Sequence, residues 1–275
     1  MPEITANLVK KLREKTGAGM MDCKKALSEN NGDLEKSVDW LRTKGLAAAA
    51  KKAGRAVSEG LIGLVIEGNK GAMIEINAET DFVSRNKNFQ EVVSNVAKVA
   101  ITAGNDISSI KNSAYPDTGR TVEAEITHQI ATIGENMMLR RAAALSVNNG
   151  VVSSYLHGAL GPGVGKIGVL VALESEGEQE KLYELGKQLA MHIAATKPLA
   201  ISRDNLNQAV IEREHSIFSE QARGSGKPDA IVDKMVEGRL RKFFEEVCLV
   251  DQIFVIDGES RISQVVENAE KNLRT

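Results

Sequence analysis

Two stretches of this chain spell out the same structural order, and that repetition limits the fold more than any other feature. Residues 60–100 open on Gly60. A β-rich segment over 61–66, a Gly68-Asn69 turn, a strand over 72–78 and a helix over about 89–100 follow. Residues 150–196 repeat the order: Gly150, a β-rich segment over 151–156, a glycine-rich turn over 158–165, a strand over 167–173 and a helix over about 180–196. Branched apolar runs bounded by glycine turns mark strands, and longer amphipathic runs mark helices. A hairpin-plus-helix written twice predicts an α+β fold with two related core subdomains, each built on an antiparallel sheet.

The flanking regions are helical. Residues 3–45 read as three short helices with apolar stripes of Leu8 and Leu12, then Met20, Cys23, Ala26 and Leu27, then Leu34, Val38 and Leu41. Asn30-Asn31-Gly32 is a turn, and Asp33 suits the N-cap of the third helix. This is the pattern of a compact three-helix bundle like the ubiquitin-associated domain. Residues 46–59 are Ala-rich and basic and read as a helical connector. Residues 121–145 read as one helical segment ending in Arg140-Arg141 and three alanines. Residues 203–223 and 228–247 form a helical hairpin, with Leu206, Val210 and Ile217 facing Ile231, Met235, Leu240, Phe243 and Val247. Its turn is 224–228, where Pro228 fits a first helical position. A strand over 252–257 and a last helix over 260–273 complete the reading. The domain plan is therefore a bundle (1–45), a connector (46–59), a first core subdomain (60–145), a second (146–202 and 248–275) and a protruding hairpin (203–247).

Composition excludes several function classes. A formal net charge of −2 gives the molecule as a whole no pull towards nucleic acid or an anionic membrane. Lys51, Lys52 and Arg55 make one basic patch, but no aromatic residues are interleaved there for stacking on bases. The two cysteines, Cys23 and Cys248, lie far apart, which points away from a zinc site or disulfide framework and towards the cytoplasm. No signal pattern opens the chain, and no apolar run reaches membrane-spanning length. Gly158 to Lys166 fails as a phosphate loop. Leu160 stands where the first glycine is needed, and Ile167 stands where Ser or Thr must follow the lysine. No nucleophile elbow, zinc-protease helix or cysteine–histidine set is present. No cofactor, no metal and no bound nucleotide are expected on this chain.

The residues left over are those that packing does not readily explain. Thr16-Gly17-Ala18-Gly19-Met20-Met21 ends one helix, turns, and opens the next on two adjacent methionines, with Arg13 before and Lys24 after. Flexible, polarizable methionines suit a surface that must mould to a partner. The bland alternative is that they are core, with a surface Arg and Lys beside them. Thr80-Asp81-Phe82-Val83 sits where a strand gives way to a helix. Read by itself, Asp81 caps that helix and Phe82 packs inside. Ile133-Gly134-Glu135-Asn136 reads as a helix end. His157 is one of four histidines, none at zinc spacing.

These strings, in this order, resemble the elongation factor Ts family. So do residues 11–27 as a whole, Lys227-Pro228, and Lys234 to Arg239 on the hairpin. The resemblance runs from Ile4 to about Gln264. It implies a cytoplasmic exchange factor that binds elongation factor Tu carrying GDP, dislodges Mg²⁺ and releases the nucleotide, with no covalent chemistry of its own. It further implies that Thr80, Asp81, Phe82 and Val83 form the loop that intrudes on the metal region. Arg13, Met20, Met21 and Lys24 then grip the GTPase domain, Ile133 and Gly134 touch the nucleotide domain, and His157 nudges the phosphate-binding loop. The hairpin points towards the partner. One departure concerns the tail. Many members add a further strand and a terminal helix after the region of 257–259, which the tail here does not match, so the completeness of the second sheet is left open. The competing readings are an interaction adaptor carrying a ubiquitin-associated-like bundle and no exchange activity, and an RNA-associated factor using the basic region 51–55.

Overall fold

A computed structural model describes residues 4–224 and 228–273. The chain up to Ser146 together with Leu156–Leu170 forms one compact unit. Val147–Tyr155 with the chain from Val171 onward forms the second.

The first unit starts with α1 (Ala6–Thr16), α2 (Met20–Glu29) and α3 (Leu34–Lys52). The Thr5 hydroxyl accepts from the Leu8 N–H to cap α1, and Gly17, at φ 68°, ends it in the left-handed conformation that only glycine adopts without strain. Asp33 caps α3, its carboxylate accepting from the Lys36 N–H at 3.1 Å. Val9, Leu12, Cys23, Ala26 and Leu27 make a small core closed over by Leu34, Val38, Trp40 and Leu41. Met20 is not part of that stripe as the spacing suggested; it lies on the outside. The Ala-rich connector is not a separate element either. Alanine's high helix propensity carries α3 on to Lys52, and only 53–58 is irregular.

There follow β1 (Glu59–Glu67), β2 (Lys70–Ala78), α4 (Asp81–Ser84), α5 (Lys87–Ala103), α6 (Ile107–Asn112), α7 (Val122–Ile133), β3 (Met137–Ser146), β4 (Gly150–His157), β5 (Val164–Gly165) and β6 (Ile167–Glu174). One antiparallel sheet has the order β3-β2-β1-β5. Helix α5 lies on it, with Phe89, Val93, Val96, Ala97 and Ala100 buried against Leu61, Ile74 and Ile76. The short β5 comes from the glycine-rich turn expected over 158–165, which reaches back to pair with β1 at Ile62 and Gly63.

The single helix expected over 121–145 is half wrong. Gly134, at φ 93°, stops α7, and 137–146 is a strand. Met137 and Leu139 point into the core while Met138 points out, a period of two. The three alanines favour helix by propensity, but pairing with Ala72 to Ile74 of β2 prevails. A bulge beside Glu75 lets both Arg140 and Arg141 reach its carboxylate. Burial would raise that carboxylate's pKa. Hydrogen bonds from Asn77 and Arg141, with the two arginine charges, outweigh burial and hold it below its ordinary value.

Strands β4 and β6 pair as a two-stranded sheet, and in the second unit their residues 150–155 and 171–174 lie with α8 (Gln179–Thr196), where Val171 and Leu173 pack against Leu189. The hairpin is α9 (Gln208–Arg223) and α10 (Asp229–Val247); of the turn expected over 224–228, residues 225–227 lie outside the described residues, Lys227 of the Lys-Pro string among them. Its seam is Ala222, Val232 and Val236 with Phe218, Met235 and Leu240. Ile231, expected there, is exposed instead. At the hairpin's foot, the Leu199 N–H donates to the Val247 carbonyl and the Leu249 N–H to that of Ala200. Residues 252–257 are not the expected strand. They form a turn closed by one bridge, Ile253 to Arg261, and α11 (Ile262–Leu273) follows. Among the described residues no helix is long and apolar enough to cross a membrane.

Candidate functional site

The segment between β2 and α5 divides its four candidate residues by direction. Val83 is 4% exposed and belongs to the core, whereas Phe82 is 78% exposed and Asp81 is exposed beside it. Leaving a phenylalanine ring in water forgoes about 2–3 kcal/mol of burial. Core packing therefore does not explain Phe82, and the capping reading fails for Asp81, which stands inside α4 as its first residue.

The N-cap of α4 is Thr80, and it does not cap in the usual way. A threonine there ordinarily accepts a hydrogen bond from the helix's own backbone. Here its hydroxyl donates to Glu135 Oε1 at 2.7 Å, and its N–H donates to Glu135 Oε2 at 3.0 Å. Next to it, the Glu79 carboxylate accepts from the Asn136 N–H at 2.6 Å and pairs with Arg55 at 3.4 Å. The buried Asn136 amide donates to the carbonyl of Arg55 at 2.9 Å. Two motifs more than fifty residues apart in sequence thus form one braced corner. At the other end of α4, Ser84 is buried, and its carbonyl accepts from the Gln90 amide at 2.8 Å. Its hydroxyl accepts from Lys166 Nζ at 3.1 Å.

Ile133 packs partly against the core, and Gly134 supplies the left-handed turn that delivers Glu135 and Asn136. Met20 and Met21 are 60% and 76% exposed, side by side at the start of α2, with Arg13 and Lys24 exposed on the same small bundle. The core reading of these methionines is excluded. His157 is exposed at the end of β4, where its carbonyl accepts from the Lys166 N–H at 3.0 Å. The thiols of Cys23 and Cys248 are buried, and burial pushes both upwards, away from the reactive thiolate.

Sequence reasoning missed Glu79, Glu135, Asn136 and Lys166 as parts of this corner. Charged residues next to a helix end or a glycine turn carry no spacing signal for a partner 55 or 82 positions away.

The family model described as Elongation factor TS matches residues 79–275. Among curated proteins, the chain is 62% identical over 274 residues to Elongation factor Ts of Rhodospirillum rubrum, covering 99% of this chain and 89% of that one. It is 59% identical over 273 residues to Elongation factor Ts of Rhodospirillum centenum, with the same coverage. To Elongation factor Ts of Rhizobium etli it is 56% identical over 271 residues, covering 98% and 88% of the two chains.

Proposed function

The chain belongs to the elongation factor Ts family of translation elongation factors, exchange factors without covalent chemistry, and from that premise we propose that it binds elongation factor Tu·GDP, dislodges Mg²⁺ and frees the nucleotide for replacement by GTP. The observation that carries this reading is the exposed Phe82, held at the tip of a single helical turn whose two ends are both tied down.

Mg²⁺ keeps strict octahedral geometry and bridges the nucleotide's phosphates to the protein. An aromatic side chain inserted beside the metal's supporting helix misplaces those ligands without touching the nucleotide. Once the metal is lost, phosphate repulsion is unscreened and GDP loosens. Linkage requires the converse as well: whatever factor the exchange protein takes from GDP affinity, GDP takes from the exchange protein's.

Phe82 cannot act alone. A ten-thousand-fold acceleration needs about 5.5 kcal/mol, and burying one phenylalanine supplies about 2–3 kcal/mol. A wide grip must provide the rest. Met20 and Met21 with Arg13 and Lys24 are one part of it, Ile133, Gly134 and His157 another, and the hairpin a third. The chain itself binds no nucleotide, metal, nucleic acid or membrane in this mechanism, and it works in the cytoplasm, where its two free cysteines stay reduced.

Release of a fluorescent GDP from elongation factor Tu tests the reading. The protein accelerates release at substoichiometric concentration. Phe82→Ala lowers the maximal rate by about ten- to a hundredfold, the equivalent of one ring's burial, with much of the affinity kept. Binding without acceleration would identify an adaptor and overturn the proposal.

A further inference from the structure

The geometry points to Glu135 and Lys166 as positioning residues that clamp α4 from opposite ends and so fix the direction in which Phe82 projects. The assignment rests on the exchange reading and deepens it.

Helix α4 has only four residues, far short of the length at which a helix persists by itself. Its orientation is therefore set by its attachments. At the N-terminal end the attachment is bidentate, since each oxygen of Glu135 takes one donor of Thr80. Two hydrogen bonds to a fixed carboxylate define both position and rotation, which a single bond does not. Glu135 is itself fixed, between the left-handed Gly134 and the buried Asn136. At the C-terminal end Lys166 Nζ donates to Ser84 Oγ at 3.1 Å and to the Gly60 carbonyl at 3.3 Å, and it pairs with Glu59 at 3.5 Å. Lysine's three donors are shared between the last residue of α4 and the first residues of β1.

The clamp also gives the glycine-rich turn a purpose. Gly158 and Gly163 adopt φ of 62° and 68°, which lets the turn fold back and lay Val164 and Gly165 beside β1. The next residue is Lys166, placed beside Ser84. Neither attachment contributes much to folding, because partly exposed polar pairs yield little net stability. Their effect falls on where the ring points.

Stopped-flow release of fluorescent GDP from elongation factor Tu, across a range of factor concentrations, separates maximal rate from half-saturating concentration. Glu135→Ala lowers the maximal rate about tenfold and leaves the half-saturating concentration within about twofold. Lys166→Met, which keeps the aliphatic stem, lowers it about threefold. Glu135→Gln retains most of the rate, because its amide can accept from the Thr80 N–H and donate to the hydroxyl. Wild-type maximal rates in Glu135→Ala and Lys166→Met would overturn the clamp. So would a loss confined to half-saturating concentration, which would make these residues direct grips on the partner.

Amide hydrogen exchange in the free protein gives a second arm that needs no partner. Thr80, Arg85 and Asn86 exchange about tenfold faster in Glu135→Ala while the melting temperature barely moves. Unchanged exchange there would refute the clamp even with exchange activity intact. A wild-type protein that fails to speed GDP release would remove the exchange reading, and the amide result would still decide the clamp.

Discussion

The two halves of the duplicated core resemble each other more closely than their sequences disclose, and they differ in where each has been extended. Both begin on a strand-opening glycine of positive φ, Gly60 at 149° and Gly150 at 132°. Both bury the same helical face: Phe89, Val93, Val96 and Ala97 in the first, Leu182, Gly186, Leu189 and Ala190 in the second. The likeness runs on beyond the expected repeat. In one half the Tyr115 N–H donates to the Arg120 carbonyl and the Val122 N–H to that of Ser113. In the other, the Phe254 N–H donates to Ser260 and the Ile262 N–H to Gln252. The turn misread as a strand at 252–257 is thus the counterpart of the turn before α7, and α11 is the counterpart of α7. Among the described residues only the first half adds a strand after this helix, and β5 from the glycine-rich turn pairs with its other edge, so its sheet has four strands where the other has two.

The extensions fall at different connections. Between strand and helix the first half spends residues 79–86, which hold α4 and Phe82, where the second has only 175–178. The second half instead inserts the α9–α10 hairpin after α8. The candidate wedge therefore stands on the half with the fuller sheet and the larger core, and a wedge is effective only if its mount does not yield. Gly60→Ala and Gly150→Ala test that contrast with the largest expected effects. A Cβ at Gly60 would overlap the Ile76 carbonyl oxygen, and one at Gly150 that of Leu173. Both add the strain of positive φ in a residue with a side chain. In the four-stranded sheet β2 is held from both sides, so Gly60→Ala should cost about 3–4 kcal/mol. The two-stranded sheet can yield, and Gly150→Ala should cost about 1–2 kcal/mol. Equal losses in chemical denaturation would break the comparison.

A smaller effect sharpens it. Where helix meets strand, the first half puts the small residue on the strand: a Cβ at Gly63 would lie 2.5 Å from the Val93 carbonyl oxygen. The second half puts it on the helix: a Cβ at Gly186 would lie 2.5 Å from Ser153 Oγ. The same close approach is met from opposite sides. Alanine gains about 1 kcal/mol of helix propensity over glycine, but overpacking costs about 1–3 kcal/mol. Gly186→Ala should therefore be net destabilising, and adding Ser153→Gly should recover about 1 kcal/mol or more of that loss. Additive losses in the double variant would show that the contact does not set the spacing.

Much of this was legible in the sequence because it is local. Glycine turns, apolar periods and caps such as Asp33 announce themselves within a few residues. What was not legible depends on partners far along the chain. The strand at 137–146 looks helical until β2 is there to pair with it, and the alanines of α3 look like a linker until Gly45 meets Ala131 of α7. Exposure of Met20, Met21 and Phe82 could be argued but not read, since an apolar residue at helical spacing fits a core equally well. The braces of α4 left no trace in the pattern at all.

The smallest effect expected concerns acid, and it belongs to the first half alone. His128 lies on α7, its Nε2 facing the Gly17 turn between α1 and α2. Burial, reinforced by the nearby Arg120 charge and only partly offset by Glu125, holds its pKa below the ordinary histidine value. The corresponding position on α11 is Asn268, which does not titrate. A histidine with a depressed folded pKa is neutral in both states above its unfolded value, about 6.5, and its full contribution to stability is present there. As pH falls from that value through the folded one, the unfolded chain takes up the proton first and the contribution is lost. Trp40, the one tryptophan, sits in the bundle that meets α7 and reports this unit. Its fluorescence should show the unfolding midpoint falling between about pH 7 and pH 5, with part of that fall absent in His128→Gln. An identical pH dependence in the variant would mean that protonating His128 costs the fold nothing, and that the turn carrying Met20 and Met21 does not bear on α7 closely enough to exclude a charge.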